Sequence, residues 1–413
     1  MNRRTALACG LLLMTFAATA CACLWDYDTL QMERMRFPGA LEIITGKFVR
    51  HSRAYYEWRI TDRKKKLEMR PDDPALLDDL AVAYAKLGRP EEGIALLEPT
   101  LATRPDRYET LSNLGTLLFF AGRLEESKQY IRRALEINPN AHFGREKYQL
   151  LLTEYVQQSE GDEFGVMSTE ERWAHGKSVG FARYILEAKL GPPVASPPDY
   201  YSPSPQRDAE LAAATKGVLG MLHFADHRSP ILLEALGNLL LAGEIEQNST
   251  QLGARAYLQA AQVTKDPVLA GQFRKLADEA LASHVSFHES GRQIDRVARL
   301  EPTLKKEVAA ADAWFAEIEA KEKAWIAAGR DVDREFAAVY YDSIEKTVAA
   351  AEKKLLSEPK ELPPSLPVPQ PPAWLMLVGA ICVGTPLALI GLGIASIVCG
   401  TVVRGCGKSR YRG

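Results

Sequence analysis

The sequence has no excess of charge of one sign and few of the motifs that mark enzymes. Its 413 residues carry 51 Lys and Arg against 53 Asp and Glu, a formal net charge of -2. Domains that bind nucleic acid are usually clearly basic, so we expect no nucleic-acid partner. The sequence also lacks a nucleophile elbow, a glycine-rich dinucleotide loop, a haem-attachment pair and spaced cysteine pairs for zinc. We therefore predict a protein that is not an enzyme and needs no cofactor.

Cysteine is scarce where a folded domain would need cross-links. Of the six cysteines, only Cys21 and Cys23 lie between the two apolar ends of the chain. Two cysteines one residue apart would form a badly strained disulfide. We expect the polar middle of the chain to be held by its hydrophobic core alone.

The first 20 residues predict a secretory signal peptide. Arg3 and Arg4 precede an apolar run, and small residues follow it up to Ala20. We expect cleavage after Ala20. Two alternatives remain open, namely lipidation of Cys21 and export by a twin-arginine route.

The other end predicts one transmembrane helix over residues 374–403, which contain no charged side chain. The tail 404–413 is basic, and basic flanks stay in the cytoplasm. A proline-rich stretch at 358–373 predicts an extended spacer before the membrane. We thus expect a single-pass cell-membrane protein with its bulk outside and its C-terminus in the cytoplasm. Removal of this end as a sorting signal is the alternative.

Residues 74–141 contain a repeat with a period of about 34 residues. Apolar residues at helical spacing, a glycine at the turn (Gly88, Gly122) and a proline at the end (Pro105, Pro139) predict two helical hairpins. Further matching pairs are Leu77 and Leu111, Leu80 and Leu114, Ala81 and Gly115, Tyr84 and Leu118, Arg89 and Arg123, Glu92 and Glu126, Leu97 and Ile131, and Leu101 and Leu135.

These landmarks resemble the tetratricopeptide repeat, although Gly93 and Ser127 stand where alanine is usual. The resemblance implies an all-α solenoid of stacked helical hairpins. A degenerate third copy ends at Pro71, with Tyr55, Tyr56, Ile60 and Leu67 on its second helix. Residues 23–30 also resemble the start of a group of exported, membrane-anchored bacterial repeat proteins without an assigned activity.

The same resemblance implies a groove lined by the first helix of each hairpin. The positions that would face a partner are Asp78, Asp79, Val82 and Lys86 in one copy, and Glu109, Ser112, Asn113, Thr116 and Phe120 in the next. This surface is mildly acidic with an aromatic floor. We therefore expect a protein or peptide segment of basic and apolar character as the ligand.

The remaining chain predicts a second helical region without a recognised chemistry. We divide the chain into a signal peptide 1–20, an N-terminal segment 21–39, repeats with a capping helix 40–157, a helix and proline-rich linker 158–208, a degenerate helical repeat region 209–300, a long helical hairpin 301–357, the spacer 358–373, the transmembrane helix 374–403 and the tail 404–413.

Two histidine pairs at helical spacing leave an alternative function open. His223 with His227, and His284 with His288, could each place two imidazoles on one helix face, as a zinc site requires. A metal-dependent envelope hydrolase is the alternative that these four residues would support. The glutamate of the hydrolase signature is absent from both pairs, so we predict no metal site.

Overall fold

Helices form where the apolar spacing predicts them. The computed structural model describes residues 37–139, 144–159, 180–190, 204–243, 249–282 and 296–341. In these ranges the chain is helical without any strand, which confirms the all-α class. The helices are α1 Ala40–Thr45, α2 Arg53–Met69, α3 Pro74–Lys86, α4 Pro90–Thr103, α5 Tyr108–Phe120, α6 Leu124–Ile137, α7 Arg145–Ser159, α8 Gly180–Leu190, α9 Pro205–Phe224, α10 Pro230–Gly243, α11 Ser249–Val263, α12 Pro267–Ala282, α13 Arg296–Ala327 and α14 Val332–Phe336.

The two repeat copies turn in the same way. The amide of Arg89 donates to Tyr84 O at 2.9 Å, and that of Arg123 donates to Leu118 O at 2.9 Å. Between them Gly88 has a φ of 76° and Gly122 a φ of 75°. This is the left-handed helix ending that favours glycine. It explains why the sequence repeats a glycine at this point, and the predicted pair of hairpins is confirmed as α3–α4 and α5–α6.

Small residues let the two helices of each hairpin touch, but the two copies place them differently. In the second copy a Cβ on Gly115 would lie 2.6 Å from Ile131 Cγ1, and Ser127 Oγ donates to Gly115 O at 2.6 Å. In the first copy Ala81 occupies the place of Gly115, and a Cβ on Gly93 would lie 3.0 Å from Ala81 O. Each copy therefore has one glycine at the contact between its two helices. It is Gly93 on the second helix (α4) in the first copy and Gly115 on the first helix (α5) in the second.

The helices after the repeats continue the packing. α7 packs against α6 on one side and against α8 and α9 on the other, so it is covered on both sides rather than closing the stack. α10, α11 and α12 follow as consecutive packed helices. A Cβ on Gly237 would lie 2.5 Å from Tyr257 Cε1, which shows the same close approach of two helices. Whether this region is a degenerate repeat stays a prediction, as does the division into domains.

The C-terminal hairpin packs back on the start of the described chain. α13 contacts α1 and α2, and the turn at Gly329 leads into α14. The second arm of the hairpin predicted over residues 301–357 begins at Val332, and a π-helical turn, Ala337–Tyr341, follows α14. Residues 342–357 of that arm lie outside the described residues.

A charged cluster in the interior joins α2 to this hairpin. Asp333 accepts hydrogen bonds from Tyr55 Oη at 2.6 Å and from Arg63 Nη2 at 2.6 Å, and it pairs with Arg59 at 3.3 Å. Arg59 and Arg63 are almost fully buried. The sequence predicted Tyr55 and Tyr56 on this helix, and both are buried. It did not predict that two buried arginines lie beside them.

Several predictions concern residues that the structure does not describe. The signal peptide, Cys21, residues 191–203 of the proline-rich linker, the spacer, the predicted span 374–403 and the basic tail fall there. Of the helices in the ranges given above, none has the length and the apolar character that crossing a bilayer requires.

The helix contact at Gly115 generates a stability prediction. Gly115→Ala should lower the free energy of unfolding by roughly 1–3 kcal/mol, because the new methyl group overlaps Ile131. Adding Ile131→Leu should recover part of the loss, because the second copy then has the same two residues, alanine and leucine, that the first copy has at Ala81 and Leu97. Urea unfolding of the full chain measures both.

The matched control is Gly271→Ala in α12, where a Cβ meets no atom within 4 Å. Alanine favours a helix over glycine by up to about 1 kcal/mol, so this variant should be neutral or more stable. Equal stability of the Gly115 and Gly271 variants would contradict the packing described above.

Candidate partner-binding site

The nine residues predicted to face a partner all lie on α3 and α5, and most of them are buried. Lys86 and Glu109 keep partial exposure. The buried members are Asp78, Asp79, Val82, Ser112, Asn113, Thr116 and Phe120. The structure thus brings the predicted residues to one face, as the resemblance implied, but it covers that face with other parts of the chain.

Asp78 is the centre of a hydrogen-bonded network between the two repeats. Arg107 donates to Asp78 Oδ2 through Nη2 at 2.8 Å and through Nε at 3.1 Å. Thr110 Oγ1 and Asn113 Nδ2 donate to Asp78 Oδ1 at 3.1 and 3.3 Å. The carboxylate therefore has its partners within the protein. Burial raises the pKa of Asp78 to about 6, while Arg107, Asn113 and Thr110 lower it.

Asp79 and Thr116 also have partners within the chain. Arg63 Nε on α2 donates to Asp79 Oδ2 at 2.7 Å. Gln149 Nε2 on α7 donates to Thr116 Oγ1 at 3.0 Å. The neighbouring helices α2 and α7 thus contact the predicted groove from its two sides.

The end of α9 lies on the same face. Lys86 Nζ donates to Phe224 O at 2.6 Å and to Ala225 O at 2.7 Å. Ala225 belongs to the same hydrophobic cluster as Val82 and Phe120. A segment more than a hundred residues away in sequence therefore occupies the place where an external segment was expected.

These contacts change the expected character of the site. The acidic residues that suggested a basic ligand are neutralised by Arg107 and Arg63. A partner can reach Lys86 and Glu109 from solvent, but it would have to displace the end of α9 to reach Val82 or Phe120. That the nine residues bind a partner stays a prediction.

The first histidine pair does not form a metal-type cluster with carboxylates. His223 lies in the last turn of α9 and His227 in the loop after it, with their rings against Phe48 at centroid distances of 5.0 and 5.3 Å. His284 and His288 lie outside the described residues. In the part of the chain that the structure describes, no three His, Cys, Asp or Glu side chains are grouped as metal ligands. The metal-dependent alternative stays a prediction.

Sequence reasoning missed the basic residues of this region. Arg63, Arg107 and Arg145 are buried or half-buried, and each contacts a carboxylate or an aromatic ring. Arg107 could have been found from the sequence, because it directly precedes α5, and α5 contacts the helix α3 that carries Asp78. No local signal could have placed Phe224 beside Lys86.

Stacked helical hairpins with matching glycine turns define an all-helical repeat protein. The family model of the tetratricopeptide repeat matches residues 108–141, which include α5 and α6. This match and the helical fold support the assignment of the chain as a tetratricopeptide repeat protein, and they assign no activity to it. No curated protein matches the chain.

The Asp78 network generates a pH-dependent prediction. Arg107→Gln removes the cation that lowers the pKa of Asp78, so the buried carboxylate becomes costlier to ionise. At pH 8 the variant should lose about 2 kcal/mol of unfolding free energy. At pH 5 the loss should be clearly smaller, because the folded state then holds Asp78 protonated with or without Arg107.

Chemical unfolding of the full chain at both pH values measures this difference. Arg104→Gln is the control, since Arg104 is exposed and its guanidinium group donates to the main-chain oxygen of Asp72 rather than to a carboxylate. An equal loss at pH 5 and pH 8 for Arg107→Gln would rule out the charge pair as the cause.

Proposed function

We propose that the protein is a membrane-tethered scaffold that binds another polypeptide outside the cell membrane and catalyses no reaction. The tetratricopeptide repeat at residues 108–141 carries this proposal, because such repeats typically serve as protein-interaction modules. A helical solenoid presents an extended surface, and neighbouring units share one core. The absence of recognisable catalytic motifs from the sequence agrees with a binding role.

The partner is proposed to approach along the first-helix face. Glu109 and Lys86 are its partly exposed members, one at the start of α5 and the other at the end of α3. Arg107, which pairs with Asp78, also lies 3.5 Å from Glu109, so the exposed edge carries both signs of charge. A partner that carries charges of both signs suits this edge better than the basic and apolar segment that the sequence predicted.

The membrane tether is proposed from the sequence of the two ends. Residues 374–403 are uncharged and long enough for a bilayer, and the basic tail after them favours the cytoplasm. The signal-type N-terminus directs the bulk of the chain to the other side. The spacer 358–373 would then separate the repeat domain from the bilayer.

Site-specific photo-crosslinking in intact cells tests the interaction. A crosslinking amino acid at Lys86 or Glu109 should give adducts of discrete size, because these positions border the proposed binding face. The same group at Glu136, exposed on the second helix of its hairpin, should not. Equal adducts from all three positions would show that contact is non-specific, and none from Lys86 and Glu109 would contradict binding at this face.

Labelling with a membrane-impermeant maleimide tests the topology. A cysteine introduced at the exposed Glu68 should react in intact cells, whereas the native Cys406 should react only after permeabilisation. Mass spectrometry assigns the labelled sites. Labelling of Cys406 in intact cells would contradict the proposed orientation, and a mature chain about 40 residues shorter at its C-terminus would contradict permanent anchoring.

A further inference from the structure

A carboxyl group lies in the interior of the second helical region. Glu234 is 5% exposed and is the only charged residue of α10. Asn238 Nδ2 donates to Glu234 Oε1 at 3.2 Å, and Tyr155 Oη on α7 donates to the same oxygen at 3.4 Å. The other oxygen, Oε2, is buried and accepts no hydrogen bond within the described residues. A buried carboxylate is costly without strong compensation, so these surroundings favour the protonated form.

The two residues that donate to this carboxyl group also form part of the surface on which α8 packs. The ring of Tyr155 contacts the rings of Phe181 and Tyr184 on α8 at centroid distances of 5.5 and 5.8 Å. Asn238 touches the first residue of α8, where a Cβ on Gly180 would lie 2.6 Å from Nδ2. A change in the charge of the carboxyl group therefore acts directly on the contacts of α8.

Within the described residues, no charged side chain compensates a charge on Glu234. Burial raises the pKa of Glu234 to about 7, while the hydrogen bonds from Asn238 and Tyr155 lower it in part, and none of these causes is a charge. The titratable groups that face it are Tyr155 on α7 and, through Asn238, Tyr257 on α11, which donates to Asn238 Oδ1 at 2.8 Å. Charged side chains of the surrounding helices contact other groups: Glu154 contacts Tyr184 and Arg132, Arg183 pairs with Glu187, Arg207 with Asp208, Arg255 with Glu307, and Glu210 accepts from Tyr148.

Of the four helices that meet at this network, α8 is the shortest. It has 11 residues, whereas α7 and α11 have 15 and α10 has 14. A helix of this length is marginal in water by itself and depends on its packing. The side chains that provide this packing are Phe181, Ala182, Ile185 and Leu186, all of them buried. Opening of α8 therefore admits water to Glu234 at a smaller loss of structure than opening of a longer neighbour.

We propose that Glu234 makes the docking of α8 depend on pH, with the helix held most firmly while the carboxyl group is protonated. The docked form keeps a proton that the open form, in which water solvates the carboxylate, has already lost. Because the pKa in the docked form lies above its ordinary value of 4.5, docking weakens as the pH rises from there to about 7. At higher pH both forms are ionised and the effect is complete. This device does not depend on the proposed scaffold role.

Hydrogen–deuterium exchange of the full chain in non-ionic detergent tests the device at pH 6 and pH 8, with rates corrected for the pH dependence of intrinsic exchange. The opening constant of the α8 amides should rise about tenfold from pH 6 to pH 8, the change that pKa values of 4.5 in the open form and about 7 in the docked form require. The amides of α12 are the internal reference and should not respond in this way, because α12 packs on α11 and α13 in the contacts described.

Glu234→Gln is the decisive variant, because it keeps the size of the side chain and an oxygen that accepts from Asn238 and Tyr155 but cannot ionise. Its α8 opening constant should differ by less than about twofold between the two pH values. Glu136→Gln is the matched control, since it makes the same exchange at an exposed position on α6. It should keep the full pH response of the wild-type chain.

Two results would overturn the proposal. One is an α8 opening constant that does not change with pH in the wild-type chain, and the other is the same change in the wild type and in Glu234→Gln. Where the glutamine variant does not fold, the comparison of α8 with α12 in the wild-type chain decides. An equal rise in both helices would then show a general loss of stability at pH 8 and would overturn the proposal as well.

Discussion

The pairing of the buried arginines Arg59 and Arg63 with Asp333 is the interaction on which the described fold depends. A guanidinium group in the interior is costly unless a carboxylate accepts its hydrogen bonds. Asp333 supplies that carboxylate from the start of α14, more than 260 residues after α2. α2 can therefore pack with its arginines inside only when the C-terminal hairpin is in place. A second contact nearby, Glu322 with His51 and with the backbone amide of Ser52, supports the same docking.

This constraint extends into the repeats. Arg63 contacts Asp333 at 2.6 Å and Asp79 at 2.7 Å, so one side chain links the hairpin to α3. On the other side of the same face, Lys86 holds the end of α9. The first-helix face of the repeats, which in an isolated solenoid would be open, is here largely an internal surface. The proposed scaffold would therefore offer the edges of this face to a partner, rather than a deep groove.

The sequence predicted those parts of the fold that local patterns determine. Gly88 and Gly122 marked two identical turns, and the period placed four helices. The sequence did not predict the contacts between segments that are far apart along the chain, because no residue near Lys86 indicates Phe224 and none near Arg59 indicates Asp333. The exposure of Asp78 and Asp79 was inferred from the resemblance alone. Both aspartates are buried, since the arginines that neutralise them come from α2 and from the turn before α5.

Hydrogen–deuterium exchange on the full chain, wild type against Asp333→Asn, tests the central claim most directly. Loss of the carboxylate charge should weaken the burial of Arg59 and Arg63, so the amides of α2 should exchange faster. The amides of α12 should keep their protection, because α12 packs on α11 and α13 and not on this charged cluster in the contacts described. Unchanged protection of α2 in the variant would show that Asp333 does not hold the two ends of the domain together.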